Sequence, residues 1–258
     1  NLSIEPRVAL KWKINPKHSL ALAYGLHSRR EKLDYYFVEK VVNGKNQSNR
    51  YLDFSRAHHV GMTYDWNINQ NLHLKIEPYF QYLFRIPVEK NSSFSVINHE
   101  EFYLDRILTN TGQGRNYGID ITLEQYMKNG FYYMITGSLF KSKYRGGDNV
   151  WRNTRLDKNY LLNLLAGKEW MVGKLKQNVL SLNGRLFFQG GERYTPVNEE
   201  RSQTEHDIFF DETKAYSKRF NPSINGDVSV SFRINKKRVS HEFSLKILNV
   251  GMRTGMHF

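Results

Sequence analysis

The sequence predicts an all-β fold: an antiparallel, up-and-down transmembrane β-barrel of which about ten strands are present. Three observations point there. Apolar residues recur at every second position in stretch after stretch. Short and long connections alternate between those stretches. Three of the four tryptophans, Trp12, Trp66 and Trp170, fall just before a short connection.

The first strand is read in SIEPRVALKWKI (3–14), where Ile4, Pro6, Val8, Leu10, Trp12 and Ile14 share a face. HSLALAYGLHS (18–28) repeats the pattern with Leu20, Leu22, Tyr24 and Leu26, and HHVGMTYDWNI (58–68) with Val60, Met62, Tyr64, Trp66 and Ile68. LHLKIEPYFQYLFRIP (72–87) sets Leu72, Leu74, Ile76, Pro78, Phe80, Tyr82, Phe84 and Ile86 against His73, Lys75, Glu77, Tyr79, Gln81 and Arg85. NYGIDITLEQY (116–126) sets Tyr117, Ile119, Ile121 and Leu123 against Asn116, Asp120, Thr122 and Glu124. GFYYMITGSLF (130–140) and NYLLNLLAGKEW (159–170) also read as strands, although periodicity does not assign their faces. NVLSLNGRLFFQ (178–189), DVSVSFRI (227–234) and HEFSLKI (241–247) complete the set. A period of two is the strand period, and no useful length keeps a period of 3.6.

Tight hairpins are predicted at 15–18, 67–71, 127–130, 172–177 and 235–238, which are rich in Asn, Gly and Lys. Long polar links are predicted over about 29–53, 88–115, 145–158 and 190–222. Strict alternation of short and long links is the layout of a membrane barrel, whose two ends face different compartments. The tryptophans fit the same orientation, since an indole has an apolar ring and a wet N–H suited to a lipid–water boundary. Trp12, Trp66 and Trp170 are therefore candidate lipid-interface residues. Pro6 and Pro78, each in an Ile-Glu-Pro context, predict a local bulge or a water-bonded carbonyl near the outer edge of the bilayer, because proline cannot donate to a ladder.

Composition narrows the function. Cysteine is absent, which excludes disulfides, thiolate metal sites and a catalytic thiol. No apolar run reaches the roughly 18 residues of a membrane-spanning helix, a finding that says nothing against a barrel. The formal net charge is +13, which predicts affinity for a polyanion, either nucleic acid or anionic lipid. The basic residues form no basic helix and lie near no RNP-like aromatic motif, so lipid headgroups and lipopolysaccharide are the expected partners and nucleic acid is not. No cofactor is implied. His58 and His59 point to opposite faces of a strand and no HExxH occurs, so no metal site is expected.

Candidate ligand contacts come from two places. The polar faces of the strands carry Asp65, His73, Lys75, Glu77, Arg85, Asp120, Glu124, Arg185, Asp227, Arg233, Glu242 and Lys246, with Asp65–His73 and Arg233–Glu242 expected to pair across hairpins. Of these, Arg85 and Arg185 lie toward the long-loop end and suit contact with an anionic ligand or with a domain plugging the barrel. In the long links Trp151, Tyr194, Phe209 and Phe210 could stack on a ring-shaped ligand. An enzymatic alternative rests on His99, Glu100 and Glu101 and on Glu205-His206-Asp207, where carboxylates beside a histidine could activate water.

The succession NPKHSLALAYGLHSR, LKIEPYFQYLFRIPV, NTGQGRNYGIDITLEQYMKNGFYYMITGSLFKSKYRG, GGERYTPV, KAYSKRF and HEFSLKILNVGMRTGM resembles the C-terminal barrel strands of TonB-dependent outer-membrane receptors. The resemblance implies a 22-stranded barrel with an internal plug, in the outer membrane of a Gram-negative bacterium. It implies import of an iron chelate, vitamin, glycan or peptide, energised by the TonB complex through the plug and assisted in some members by a surface lipoprotein. It implies no enzymatic activity. On this reading residues 1–258 are a barrel segment lacking the plug and the final strand. The alternatives are a self-contained ten-stranded outer-membrane barrel acting as protease or pore, and a soluble polyanion-binding β-sandwich.

Overall fold

The structure, a computed structural model, describes residues 3–100 and 103–250. Glu101, His257 and Phe258, and with them most of the predicted 249–258 tail, lie outside the described residues. The strands are β1 (Arg7–Lys13), β2 (His18–Arg29), β3 (Glu39–Val42), β4 (Lys45–Ser48), β5 (Ser55–Asn67), β6 (Leu72–Glu89), β7 (Leu108–Lys128), β8 (Phe131–Arg145), β9 (Trp151–Asn153), β10 (Tyr160–Val172), β11 (Asn178–Gln189), β12 (Arg193–Tyr194), β13 (Lys218–Arg219), β14 (Ser223–Asn235) and β15 (Ser240–Ile247). One short helix, α1 (Glu199–Glu205), is capped by the Asn198 side chain.

Ten strands run as one antiparallel meander, β1-β2-β5-β6-β7-β8-β10-β11-β14-β15, with β9 paired to β8. Every predicted strand is present. Among the described residues no ladder joins β1 to β15, so the sheet is an open wall. No helix of the described residues is long and apolar enough to cross a membrane.

Register puts the oily positions in continuous outward rows. Leu10 lies opposite Leu22, Leu22 opposite Met62, and Ile119 opposite both Pro78 and Leu139. Another row runs Trp66, Leu74, Leu123, Ile135, Leu164, Leu186. These side chains stay accessible although apolar, for example Leu139 at 62% and Leu10 at 66%. A soluble sandwich would cover such a face. The buried apolar residues instead lie among the long links, as the cluster Tyr35, Leu52, Leu104 and Leu108 with Phe94 and Val96 against it. Aromatics bound the belt at both ends. Toward the short turns His18 stacks on Tyr64 and Trp66. Toward the long links Tyr24, His58 and Phe84 stack in sequence. The eight residue steps from Trp66 to His58, at about 3.3 Å each and tilted by about 40°, span roughly 20 Å, near the height of an apolar barrel band.

The short turns follow their chemistry. Asn129 and Gly130 have φ of 53° and 75° and close β7–β8 as an Asn-Gly hairpin. A Cβ at Gly130 would lie 2.2 Å from the Glu169 carbonyl oxygen.

Two expectations are corrected. Pro78 makes no bulge: β6 pairs β7 in one register from Leu72↔Gln125 to Phe84↔Gln113, straight through Pro78↔Ile119. The missing donor is absorbed on the other side, where pairing to β5 lapses between Tyr79 and Ile76 without a register change. Pro6 precedes β1, and its carbonyl accepts from Leu26 N at 3.0 Å. The bulge occurs at Arg85, whose φ is +56°, with register shifts on both sides of Ile86. One extra residue reverses the facing of the rest of the strand. Ile86 and Val88 therefore turn inward and are buried (4% and 0% exposed), against the outward position expected for Ile86. Gly112 makes room for them, since a Cβ there would lie 2.4 Å from Val88 Cγ1.

Candidate functional site

The loop-side mouth is built where four long links meet. Residues 30–54 hold the β3–β4 hairpin, 90–107 a 3-10 turn, 146–159 strand β9, and 190–222 the β12–β13 pair and α1. Strands β6 and β7 extend into this region beyond the apolar belt. The link between them is correspondingly shorter than the predicted 88–115.

Close backbone approaches lock the links together. A Cβ at Gly147 would lie 2.0 Å from the Glu89 carbonyl oxygen, and one at Gly190 would lie 1.9 Å from that of Lys158. Asp157 is the polar centre of the assembly. Its carboxylate is fully buried, accepts from Arg193 Nε at 2.8 Å and Ser142 N at 3.0 Å, and faces Arg219 Nη2 at 3.4 Å. One carboxylate thus ties links 146–159 and 190–222 to β8. Burial, with Arg193 beside it, pushes the Arg219 guanidinium below its ordinary value. Asp148 holds Arg152 at 2.6 Å. Burial alone would raise the Asp148 carboxyl, but hydrogen bonds from Arg152 and Val150 N outweigh it and hold the group below the usual range.

A cavity of about 630 Å³ opens between links 90–107 and 190–222, with Glu89, Ser95, His99, Arg106, Glu212 and Tyr216 in its wall. Arg106 pairs with Glu89 and its guanidinium lies 4.5 Å over the Phe94 ring. Burial first, and the nearby Glu212 carboxylate second, push the Tyr216 phenol up. The wall thus mixes both signs of charge with aromatic faces, which suits a polar, partly aromatic ligand.

Below the mouth the inward face of the wall is polar. Lys75 pairs with Glu77 at 2.7 Å, and the expected hairpin pairs form, His73–Asp65 at 3.2 Å and Arg233–Glu242 at 2.9 Å. A chain of hydrogen bonds runs Gln81, Asn116, Ser142, Thr154.

The residues expected to hold ligand are distributed over this end, all but Phe210 on partners of their own. Arg85 occupies the bulge and meets Asp53 at 3.5 Å. Arg185 faces inward near the loop-side end of β11, donating to Asn163 at 3.1 Å and facing Asp227 at 3.7 Å. Tyr194 stacks on Phe220 at 4.5 Å. Phe209 lies under the Arg201 guanidinium at 4.0 Å, while Phe210 is 56% exposed. Trp151 pairs with Arg145 in register, on the outward side, and carries the Arg115 guanidinium at 4.2 Å. Sequence reasoning missed the inward Ile86, the Asp157 node and the aromatic set at the loop-side end of the belt. The acid–His–acid stretch serves a helix end: Glu205 pairs with Arg201, His206 is in the left-handed region and Asp207 accepts from Ile208 N. Glu100 pairs with Arg155, and His99 packs on Tyr35 and Phe94.

No protein-family model and no curated protein matches the sequence. Solved structures do match the fold. The ferripyoverdine receptor of the Pseudomonas aeruginosa outer membrane aligns at TM-score 0.65 and 12% identity, over 95% of this chain and 29% of that one. The ferric-catecholate import receptor Fiu of E. coli K12 aligns at 0.62 and 10%, over 95% and 30%. The outer membrane transporter YddB of Escherichia coli aligns at 0.64 and 13%, over 97% and 37%. The chain spans about a third of the length of the structures it matches. A sheet whose oily face is uncovered, whose long links gather at one end, and which overlays these walls along nearly all its length has the antiparallel barrel fold of outer-membrane import receptors.

Proposed function

We propose that this chain forms part of the wall of a TonB-dependent outer-membrane transporter in a Gram-negative bacterium, and that its long outer links capture a scarce nutrient, first among candidates a ferric chelate. The observation that carries the reading is the division of the chain. Ten strands present an apolar belt, while the four long links dock on one another at one end, where links 90–107 and 190–222 line a polar cavity. The fold neighbours named for ferric-catecholate import and for ferripyoverdine support the ligand class. Arg85 and Arg185 would attract an anionic chelate, and Trp151, Tyr194, Phe209 and Phe210 would offer rings to it. TonB would act through a plug inside the barrel, and a surface lipoprotein would assist at the loops. The reading has no catalytic step.

The test is uptake of labelled ferric catecholate and ferric pyoverdine-type chelates by cells carrying the intact protein, with and without replacement of residues 196–212 by a short Gly-Ser linker. Expected is TonB-dependent uptake of at least one chelate that the loop replacement abolishes while membrane insertion persists. Uptake of neither chelate, or passive flux that does not need TonB, would overturn the proposal.

A further inference from the structure

We propose that Arg115, Lys141, Lys143 and Arg145, joined by Arg56, form a binding site on the outward face of the wall for the phosphate groups of an anionic membrane lipid. The inference rests on the reading of the outward face as lipid-facing and adds a partner at a defined place on it.

The register makes the cluster. On β8 the run Lys141-Ser142-Lys143-Tyr144-Arg145 alternates cations with neutral residues. Ser142 belongs to the inward hydrogen-bond chain and Tyr144 is fully buried, so the three cations share the opposite, outward side. Lys141 lies opposite Tyr117, Lys143 opposite Arg115, and Arg145 opposite Gln113. Arg56 is at the same level as Arg145, three strands away on β5, reached through Gln113 and Phe84. Immediately below, toward the belt, come Ile119 and Leu139.

The cations lack counter-charges. Among the described residues none of the five has a carboxylate within 4.0 Å, whereas Asp148 and Asp157 nearby are engaged by other arginines. Arg115 and Lys143 are directly opposed, an arrangement that costs stability unless an anion sits between them. The Nε atoms of Arg56 and Arg145 are buried with no hydrogen-bond partner. Trp151 holds the Arg115 guanidinium from one side at 4.2 Å. Planar guanidinium forks and lysines beside a rigid aromatic are groups that grip phosphate oxygens.

Continuity with the belt selects a lipid over a soluble anion. A molecule whose phosphates rest on Arg115, Lys143 and Arg145 lays its acyl chains down Ile119 and Leu139 without a break. Headgroup phosphates occupy that boundary in an anionic leaflet, and each surface cation contributes about 1 kcal/mol there.

The intact protein in neutral detergent is titrated with a bisphosphorylated glycolipid, lipid A, and with its dephosphorylated counterpart. Expected is binding of the phosphorylated form only. Arg115→Gln, Lys143→Gln and Arg145→Gln together should weaken it roughly hundredfold at low salt, three cations at that magnitude each. A control removes the same charge at the short turns, through Lys174→Gln, Lys176→Gln and Lys236→Gln, and should leave binding within about twofold. Equal loss in both triple variants, or loss in neither, overturns the site. Pyrophosphate competing as well as lipid A per phosphate reassigns it to a soluble anion and overturns the lipid partner. Failure with lipid A while Leu139 stays accessible to acyl-chain quenchers refutes the headgroup site alone; loss of that access refutes the barrel reading as well.

Discussion

Replacing Asp157 with Asn should release the docked links without melting the wall. The carboxylate is fully buried and takes hydrogen bonds from Arg193 and from the Ser142 amide, with Arg219 at its other side. Removing one partner from a buried ion pair typically costs about 3–5 kcal/mol, because the remaining charge stays desolvated. The two guanidiniums here keep some water, with side chains 13% and 23% exposed. Asn also keeps the shape and can still accept from Ser142. We therefore expect a local loss of about 2–3 kcal/mol, with the like-charged pair Arg193 and Arg219 left facing each other. Hydrogen exchange on the intact protein reads it directly: amides in 146–159 and 190–222 should exchange about 30- to 150-fold faster, while amides in β5 to β7 keep their protection. Unchanged exchange in both links would refute the view that one buried carboxylate fastens them. Uniform loss across the wall would refute the separation of links from barrel.

Ile121→Lys, outward in the middle of the belt, should destabilise the folded protein in lipid by roughly 2–4 kcal/mol, while the neighbouring inward Thr122→Lys costs well under 1; urea unfolding in vesicles compares the two. Gly112→Val should drive a side chain into Val88 and the Ile86 carbonyl and cost at least about 1–3 kcal/mol in the same measurement. Hydrogen bonds from the Thr213 and Lys214 side chains hold the Asp211 carboxyl down at about 2. The turn at 211–214 is therefore stabilised above the ordinary carboxylate range and loosens as pH falls from about 4 toward 2. Pepsin cleavage there should rise over that interval in the native chain and lose its pH dependence in Asp211→Asn.

Most of the wall was legible because period two is enforced by the environment. A lipid-facing side chain must be apolar and its neighbour faces water, so each strand carries its own signal, and the Asn-Gly turn at 129–130 announces its hairpin. The signal ends where lipid ends. Residues 108–115 pair as strand, with the register shifting on either side of Gly112, but above the belt neither face need be apolar, and Thr-Gly-Gln-Gly reads as loop. The bulge at Arg85 was hidden for another reason: Phe84, Ile86 and Val88 keep the alternation in sequence while one left-handed residue reverses it in space. The basic run Lys141 to Arg145 also alternates, but only register with β7 shows that Arg115 joins it. The candidate ligand residues carry their chemistry one at a time. Sequence cannot say that Tyr194 is stacked on Phe220 or that Trp151 faces outward, because those facts depend on how four links dock.

Which side of the strand meets lipid decides between barrel and sandwich, and one scan along β6 measures it. The chain has no cysteine, so single cysteines at 73–88, each carrying a nitroxide, report alone. In lipid vesicles, even positions through Phe84 should be accessible to oxygen and odd positions to a water-soluble nickel chelate, with the phase disrupted at Arg85 and Ile86 and Val88 shielded from both. Even positions through Phe84 protected from oxygen and nickel alike would mean that another layer covers the oily face, and would contradict the barrel.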